Sequence, residues 1–515
     1  MRGALLVVLL ALGFYVWAVT FNLSNYYPVA GDEAIIMSTS HKIATEGVPG
    51  SDLVTGLHGA ERRWFVSLPA HLVFQATAFR AFGTGIWQAR LPSVVAGVSV
   101  IALTAWLAWR WFGPFVAVTA AMLLVFWRSN LIGSDPRPPM LALGQTARYD
   151  LVVVALLWVT IALLHRVLER PSRSAAFVTG MVAGLATLTQ FYGVAAALVV
   201  AAAFLHRWRA TAIRQPVVAW AVAGWLIVTL PYAVFAVANA DSFMAQVSLH
   251  GPRVRLFDPR FWVANLLNER HRYVPITGHT TTGIGDTWAL GPWMVWLGAV
   301  PGIAMIATRS VPFVALIVPL GVLAFIDQTK TALYASLLVP IACLAFACAI
   351  DRAMQPGVPR VMRIAAALIL AVLTVESCRG YGVSLRAAAH ASPYLDAGER
   401  MASFMPDERP AMGSWRWWWA MQPRRYFGVN GFFWHAERLA LEGAYPSLED
   451  EVQEKRVGYL VVDGDFAADL NRTTAAYRDR SERYIDTCTA IAGVVDAASY
   501  GRIEVRRITT GCTAR

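Results

Sequence analysis

"GALLVVLLALGFYVWAVTFNLSNYYPVAGDEAII", residues 3–36, decides how this chain is read. Its first half is an apolar run of the length a helix needs to cross a bilayer. A short polar stretch follows, and then two adjacent carboxylates, Asp32 and Glu33, directly before the apolar Ala34, Ile35, Ile36 and Met37. An ionisable group at a membrane boundary is costly unless it is solvated, paired or used. The pair therefore poses a question that the rest of the chain has to answer.

The composition agrees with a membrane reading. Of 515 residues, 57% are hydrophobic and only 15% charged, against about 25% charged in a soluble domain. The net charge of +11 invites a nucleic-acid partner, but arginine beside membrane spans usually sets topology, and no nucleic acid is expected. The chain shows no zinc-type C-x-x-C, P-loop or G-x-G-x-x-G pattern.

Apolar runs recur near 4–21, 91–109, 114–132, 149–165, 175–190, 193–206, 216–237, 288–306, 311–326, 331–350 and 362–378, about eleven predicted spans. The fifth and sixth meet at "TQFYG" and read as a tight hairpin. The first run reads as a retained span, because no small-x-small cleavage site follows it. With the N-terminus inside, the inner segments hold Arg2, Arg110, Arg166, Arg170, Arg173, Arg207, Arg209, Arg214, Arg309, Arg352, Arg360 and Arg363, opposed only by Glu169 and Asp351. This is the positive-inside bias. An odd span count sends the tail after Cys378 outside, together with Asp32–Glu33, "QTARYD" (145–150), the loop 238–287 and "DQTK" (327–330).

Two domains are expected: a membrane domain over 1–378 and a small α/β domain over 379–515. In the second, "SLEDEVQEKR" reads as an amphipathic helix and "RVGYLVVDGDF" as a buried strand ended by a turn. "GSWRWWWAMQPRRYFG" reads first as domain core or interfacial anchor and second as a sugar-stacking surface. "GVVDAASYGRIEVRRITTG" reads as a hairpin that would bring Cys488 and Cys512 together, in a compartment where disulfides form.

Three outer clusters could carry chemistry. Asp32–Glu33 reads plainly as a helix start, with Asp32 as the N-cap and Glu33 in the first turn; capping does not exclude a catalytic role. Arg148 and Asp150 flank Tyr149 at the start of the fourth span, where an ion pair is the plain reading. Lys330 and Tyr334, spaced i, i+4, would share one helix face. The lysine either snorkels to the interface or holds a phosphate.

Order and side of these clusters resemble the GT-C class of polyprenyl-phosphate-sugar-dependent glycosyltransferases. That class includes protein O-mannosyltransferases, aminoarabinose transferases acting on lipid A and bacterial lipopolysaccharide-core transferases. "GDEAII" is similar to the acidic pair of their first outer loop, and "FRAFGTGIWQARLPSVVAG" (79–97) to the stretch entering their second span. "ARYD" and "DQTKTALYASLLVP" are similar to their Arg-x-Asp and their Lys…Tyr…Leu-Leu-x-Pro. The chain departs from the class where aminoarabinose-type members have Lys-Pro: here "HGAERRWFVSLPAH" offers Arg62 and Arg63 as the nearest cations. "TQFYG" likewise stands where relatives often have Lys-Gly.

The resemblance implies a GT-C fold and an extracytoplasmic transfer from a polyprenyl-phosphate-linked sugar to a lipid, glycan or protein acceptor. Asp32 would take the acceptor's proton as general base. Lys330 and Arg148, with Arg62 or Arg63, would hold the leaving phosphate, and one displacement implies inversion. Glu33 would orient the acceptor or bind a cation, with Asp150, Tyr149 and Tyr334 as further substrate-binding residues. No cofactor is required by this chemistry; it leaves room for a divalent cation, though no His cluster argues for one. The setting implied is a bacterial inner membrane, with the N-terminus cytoplasmic and the active site and tail periplasmic. A transporter or flippase of a lipid-linked sugar is the competing class, but it favours charges near the midplane, whereas here they gather on one side.

Overall fold

The computed structural model describes residues 2–128, 137–249, 258–273, 290–327, 330, 332–441 and 447–509. Each of the eleven apolar segments falls on a helix: α1 (Arg2–Thr20), α4 (Ile86–Phe112), α5 (Pro114–Phe126), α7 (Asp150–Glu169), α8 (Arg173–Thr187), α9 (Val194–Trp208), α10 (Pro216–Ala238), α14 (Leu290–Ala307), α15 (Ser310–Phe325), α16 (Val339–Met354) and α17 (Arg360–Ala389). Among the described residues, seven helical stretches are long and apolar enough to cross a membrane, and three shorter apolar helices accompany them. Between these lie shorter helices α2 (Gly31–Glu46), α3 (Pro69–Phe82), α6 (Pro139–Gly144), α11 (Ala240–Leu249), α12 (Pro259–Leu267) and α13 (Arg270–Tyr273).

Lipid supplies no hydrophobic drive between helices, so close backbone approach has to hold the bundle. Helices α8 and α10 show how. A Cβ on Gly180 would lie 1.9 Å from the Ala221 carbonyl oxygen, and one on Gly224 2.0 Å from that of Phe177. Only glycine fits at either crossing. At α8–α9 the predicted tight hairpin is present, turned by a 3₁₀ segment, Phe191–Gly193.

Helix α17 runs without a break through residue 378, the boundary read from the sequence, and ends at Ala389. After it come α18 (Tyr394–Ser403), β1 (Ala411–Gly413), β2 (Tyr426–Gly428), α19 (Asn430–Leu441), α20 (Leu448–Glu454), β3 (Tyr459–Val462), α21 (Gly464–Leu470), α22 (Ala475–Cys488), β4 (Thr489–Ala497) and β5 (Gly501–Ile508). The strands form one sheet in the order β2-β1-β3-β5-β4. Its first three strands are parallel, and β5 runs antiparallel to both β3 and β4. The amphipathic helix is α20, capped by Ser447, and the buried strand is β3. The predicted hairpin is β4–β5. Cys488 is disulfide-bonded, while Cys343, Cys348 and Cys378 are free thiols; Cys512 lies outside the described residues.

The tryptophan-rich stretch is core, as its plainer reading held. Trp415, Trp417 and Trp418 are buried in one cluster with Ile35 and Ile36 of α2 and Phe79 of α3. Trp417 stacks flat on Tyr394 at 5.5 Å and donates its indole N–H to Asp463 at 2.8 Å. The tail is therefore built onto α2 and α3, and every residue from Glu33 to Ser40 is covered.

Candidate active site

Helix α2 begins differently from the expectation. Its N-cap is Ala30, which makes no side-chain cap, and Asp32 sits within the first turn. Freed from capping, Asp32 points outward: its side chain is 52% exposed and its Oδ2 accepts from Arg148 Nη1 at 2.5 Å.

Glu33 is oriented the opposite way and is fully buried. Arg90 of α4 grips it with two bonds, Nε to Oε1 at 2.7 Å and Nη2 to Oε2 at 2.9 Å, and the Ala147 N–H donates to Oε1 at 2.6 Å. Arg90 also donates to the carbonyls of Leu23 and Tyr27 at 2.7 Å. A buried charge needs this degree of compensation. Both oxygens of Glu33 are thus occupied. It joins α2 to α4 and to the backbone that carries Arg148, a structural use in place of the acceptor or divalent-cation contact expected of it.

Arg148 is the hub. Its Nε donates to Asp150 Oδ2 at 2.9 Å, its guanidinium lies 5.6 Å from the centre of the Tyr149 ring, and Nη2 has no partner among the described residues. The buried Asp150, in the first turn of α7, accepts at its other oxygen from Tyr192 Oη at 2.8 Å. The Tyr192 ring packs 4.6 Å from that of Tyr334. Asp32, Arg148, Asp150, Tyr192 and Tyr334 therefore form one chain of contacts running from an open acid into the bundle.

Lys330 sits in a second cluster. The expected i, i+4 helix face with Tyr334 is absent, because Lys330 has a left-handed backbone (φ 52°) and the 3₁₀ segment bearing Tyr334 starts only at Ala332. The ammonium donates to Glu269 at 2.8 Å and to the carbonyls of Leu323 and Ala324 at 3.1 and 2.8 Å. Lysine has three donors, so all are taken, two of them closing the last turn of α15. Arg272 bonds the same Glu269 and also Asp327, at 2.6 and 2.8 Å. A phosphate clamp at Lys330 would have to dismantle this arrangement. Gln328 and Thr329 lie outside the described residues.

Arg62 and Arg63 are exposed and make no ion pair among the described residues. Their loop is pinned by Gln246 of α11, which donates to the Arg63 carbonyl at 2.7 Å and accepts from the Phe65 N–H at 2.9 Å. No hydrogen bond or ion pair joins either arginine to Asp32. Among the described residues no three His, Cys, Asp or Glu side chains come together as a metal site.

Three site residues escaped the sequence reading: Arg90, Tyr192 and His71. Each lies inside a stretch quoted above, in "QARLPS", "TQFYG" and "SLPAH". His71, near the start of α3, is buried, and neither ring nitrogen has a hydrogen-bond partner of good geometry. Its ring meets that of Tyr149 edge-on at 6.3 Å. Burial, joined by the charge of Arg148 and opposed by the Ala147 backbone, pushes its pKa down to about 4.

Residues 68–235 match the family model of dolichyl-phosphate-mannose-protein mannosyltransferase. No curated protein matches the chain by sequence. Among solved structures, ArnT from Cupriavidus metallidurans bound to undecaprenyl phosphate superposes with a TM-score of 0.63 at 16% identity, covering 98% of either chain. The same protein in its apo state gives 0.62 at 16% identity, covering 99% of each. The oligosaccharyltransferase AglB from Archaeoglobus fulgidus, in complex with an inhibitory peptide and a dolichol-phosphate, gives 0.56 at 13% identity, covering 97% of this chain and 74% of that one. The tail domain is included in the shared fold. The chain shares its fold with these structures, and the family-model match lies inside the shared region.

Proposed function

We propose that this chain is a membrane glycosyltransferase of the GT-C class that moves a sugar from a polyprenyl-phosphate donor to an extracytoplasmic acceptor, with inversion, using Asp32 as general base. The observation that carries the proposal is the pairing of an open carboxylate with a cation that still has a donor to give. Asp32 is reachable from solvent, and Arg148 is anchored from behind by Asp150 and Tyr192 with Nη2 unclaimed among the described residues.

In the reaction the acceptor's hydroxyl or amine attacks the anomeric carbon and its proton passes to Asp32. The carbon–oxygen bond to phosphate breaks, and its electron pair stays on the phosphate. Arg148 meets that developing charge, an electrostatic contribution typically worth about 2.7–4 kcal/mol for one preorganised donor. Tyr149 offers an aromatic face beside it. Asp150 and Tyr334 act from behind, through Arg148 and Tyr192. Lys330 fixes the end of α15 and the segment bearing Tyr334, and the exposed Arg62 and Arg63 are cations available to an anionic headgroup. Glu33 and Arg90 keep α2 in register. A divalent cation is not needed for any of these steps.

The donor class is supported by the two relatives named with polyprenyl phosphates. The arginine bias of the inner segments supports an N-terminus on the cytoplasmic side and Asp32 and the tail on the other, and the likeness to ArnT supports a bacterial inner membrane as the setting. A flippase is the less favoured reading, since it would gather its charges near the midplane, whereas Asp32 is open to solvent at the start of α2. Purified protein in lipid, supplied with a polyprenyl-phosphate sugar and extracts of surface glycolipid, polysaccharide or protein, tests the proposal. Transfer by the wild type, lowered about 10²- to 10⁴-fold in Asp32→Asn, is expected; undiminished transfer by Asp32→Asn removes Asp32 from the mechanism. Mass spectrometry of surface glycolipids and glycoproteins from a deletion strain identifies sugar and acceptor.

A further inference from the structure

The segment 22–30 leads from α1 to α2 and contains no helix or strand, so the backbone groups outside its local turn at Asn22–Tyr26 depend on partners from elsewhere. Three of its positions, and Gly31 directly after it, meet the end of α17 or the tail domain. Asn22 Nδ2 donates to the Ala388 carbonyl at 2.7 Å. Asn25 Oδ1 accepts from the Tyr394 N–H at 3.4 Å. The Val29 N–H donates to Tyr500 Oη at 3.1 Å. Gly31, the residue before Asp32, faces Trp415, whose nearest atoms would lie 3.9 Å from a Cβ built there.

Tyr500 is the most telling of the four. It occupies the turn between β4 and β5, at the far end of the chain, yet it holds the N–H three residues before Asp32. It is itself held: its ring packs 4.8 Å from Trp417 and 5.9 Å from Tyr394, and the Arg416 guanidinium lies 5.8 Å from its centre. The charges of Arg90 and Glu33 reach its phenol. The tail thus closes over the same ion pair that fixes the first turn of α2.

Among the described residues no hydrogen bond or ion pair joins Asp32 to the tail. Its carboxylate meets Arg148 because the helix start is set at the right place and rotation, and the tail is one of the two bodies that set it. From this geometry we infer that the tail domain is part of the catalytic apparatus, and that Tyr500 is a positioning residue acting through Val29 on Asp32. The inference rests on Asp32 being the base.

The test uses the full-length protein in lipid with a polyprenyl-phosphate sugar donor, turnover being expressed per folded molecule. Tyr500→Phe keeps the ring and removes only the oxygen. A roughly three- to ten-fold fall in kcat is expected, the range one hydrogen bond covers, with donor KM unchanged. Arg502→Ala, an exposed change on the same hairpin, is expected to turn over as the wild type does. The decisive measurement is Tyr500→Phe combined with Asp32→Glu. Once the carboxylate has been displaced by a methylene, losing its guide matters less, so the two changes should not be additive.

A wild-type kcat for Tyr500→Phe overturns the inference, and so does an equal loss in both backgrounds. The two failures remain separable. Full activity of Asp32→Asn defeats the assignment of the base, whereas an inactive Asp32→Asn beside an unaffected Tyr500→Phe defeats only the role of the tail.

Discussion

Two clusters of acids and cations meet at Tyr334, and they are built for different purposes. In the first, Asp32, Arg148, Asp150 and Tyr192 run in a line from solvent inward, and the outermost acid is half exposed. In the second, Glu269, Arg272, Asp327 and Lys330 balance two positive charges against two negative ones, close to fully buried. The line ends on a group that can exchange its partner for a substrate at little cost in desolvation. The closed cluster can admit a ligand only by stripping a buried ion of its partner, typically about 3–5 kcal/mol. Both clusters pair carboxylates with cations; the number of donors already taken separates a reacting group from a holding one.

This contrast can be tested by substitution. The largest effect is expected at Asp32. Asp32→Asn should lower turnover by about 10²- to 10⁴-fold, the range of general acid–base catalysis, without moving the thermal midpoint, because an exposed acid contributes little to folding. An inactive protein that also melts earlier would make Asp32 structural. Arg148→Ala should lower turnover about 10²- to 10³-fold, as loss of one preorganised donor does, and it should also destabilise, since Asp150 stays buried without its cation. Arg148→Lys restores charge but not the fork that bonds two carboxylates, so stability should recover further than activity.

For Lys330→Ala the order reverses. The carbonyls of Leu323 and Ala324 lose their donor, and Glu269 keeps only Arg272 among the cations named here. A stability loss of about 1–3 kcal/mol is expected, with turnover per folded molecule reduced far less than in Asp32→Asn. Thermal unfolding in lipid alongside donor kinetics decides it. A Lys330→Ala protein of normal stability with a raised donor KM would show that the closed cluster opens to phosphate after all.

How much of this could be read from the sequence depended on whether the cause was local. A helix that crosses a bilayer needs an unbroken apolar run, so the apolar helices announced themselves. Asp32 and Asp150 stood out because a carboxylate at the edge of such a run is much rarer in this chain than an arginine, and Arg148 because it stands two residues from Asp150. Pairings between distant residues left no such mark. Nothing near Glu33 says that its partner is Arg90, and Tyr192 looked like one more aromatic in a hairpin turn. Helix α2 shows no clean apolar face because the tail covers it from the other side, and that contact joins residues several hundred positions apart. The Lys330–Tyr334 spacing misled for a related reason: i, i+4 implies a shared face only where the intervening backbone is helical, and Lys330 is left-handed.

The smallest effect belongs to His71, and it distinguishes the open line from the closed cluster by pH. Burial holds the imidazole neutral down to about pH 4, while in the unfolded chain it takes a proton near pH 6.5. Above that range both states are neutral and His71 contributes no pH dependence. Between the two values the unfolded chain binds a proton that the folded one refuses, so stability falls as pH falls. At pH 5.5 the loss should be about 1 kcal/mol, one pH unit below the unfolded value. His71→Gln cannot titrate and should be spared it. Because carboxylates elsewhere also titrate, the quantity to measure is the difference in thermal midpoint between wild type and His71→Gln, at pH 7.5 and again at pH 5.5. A gap that narrows or inverts on acidification is the expected result. A difference that stays constant would mean that His71 is not held neutral against Arg148, and the description of that end of the site would have to change.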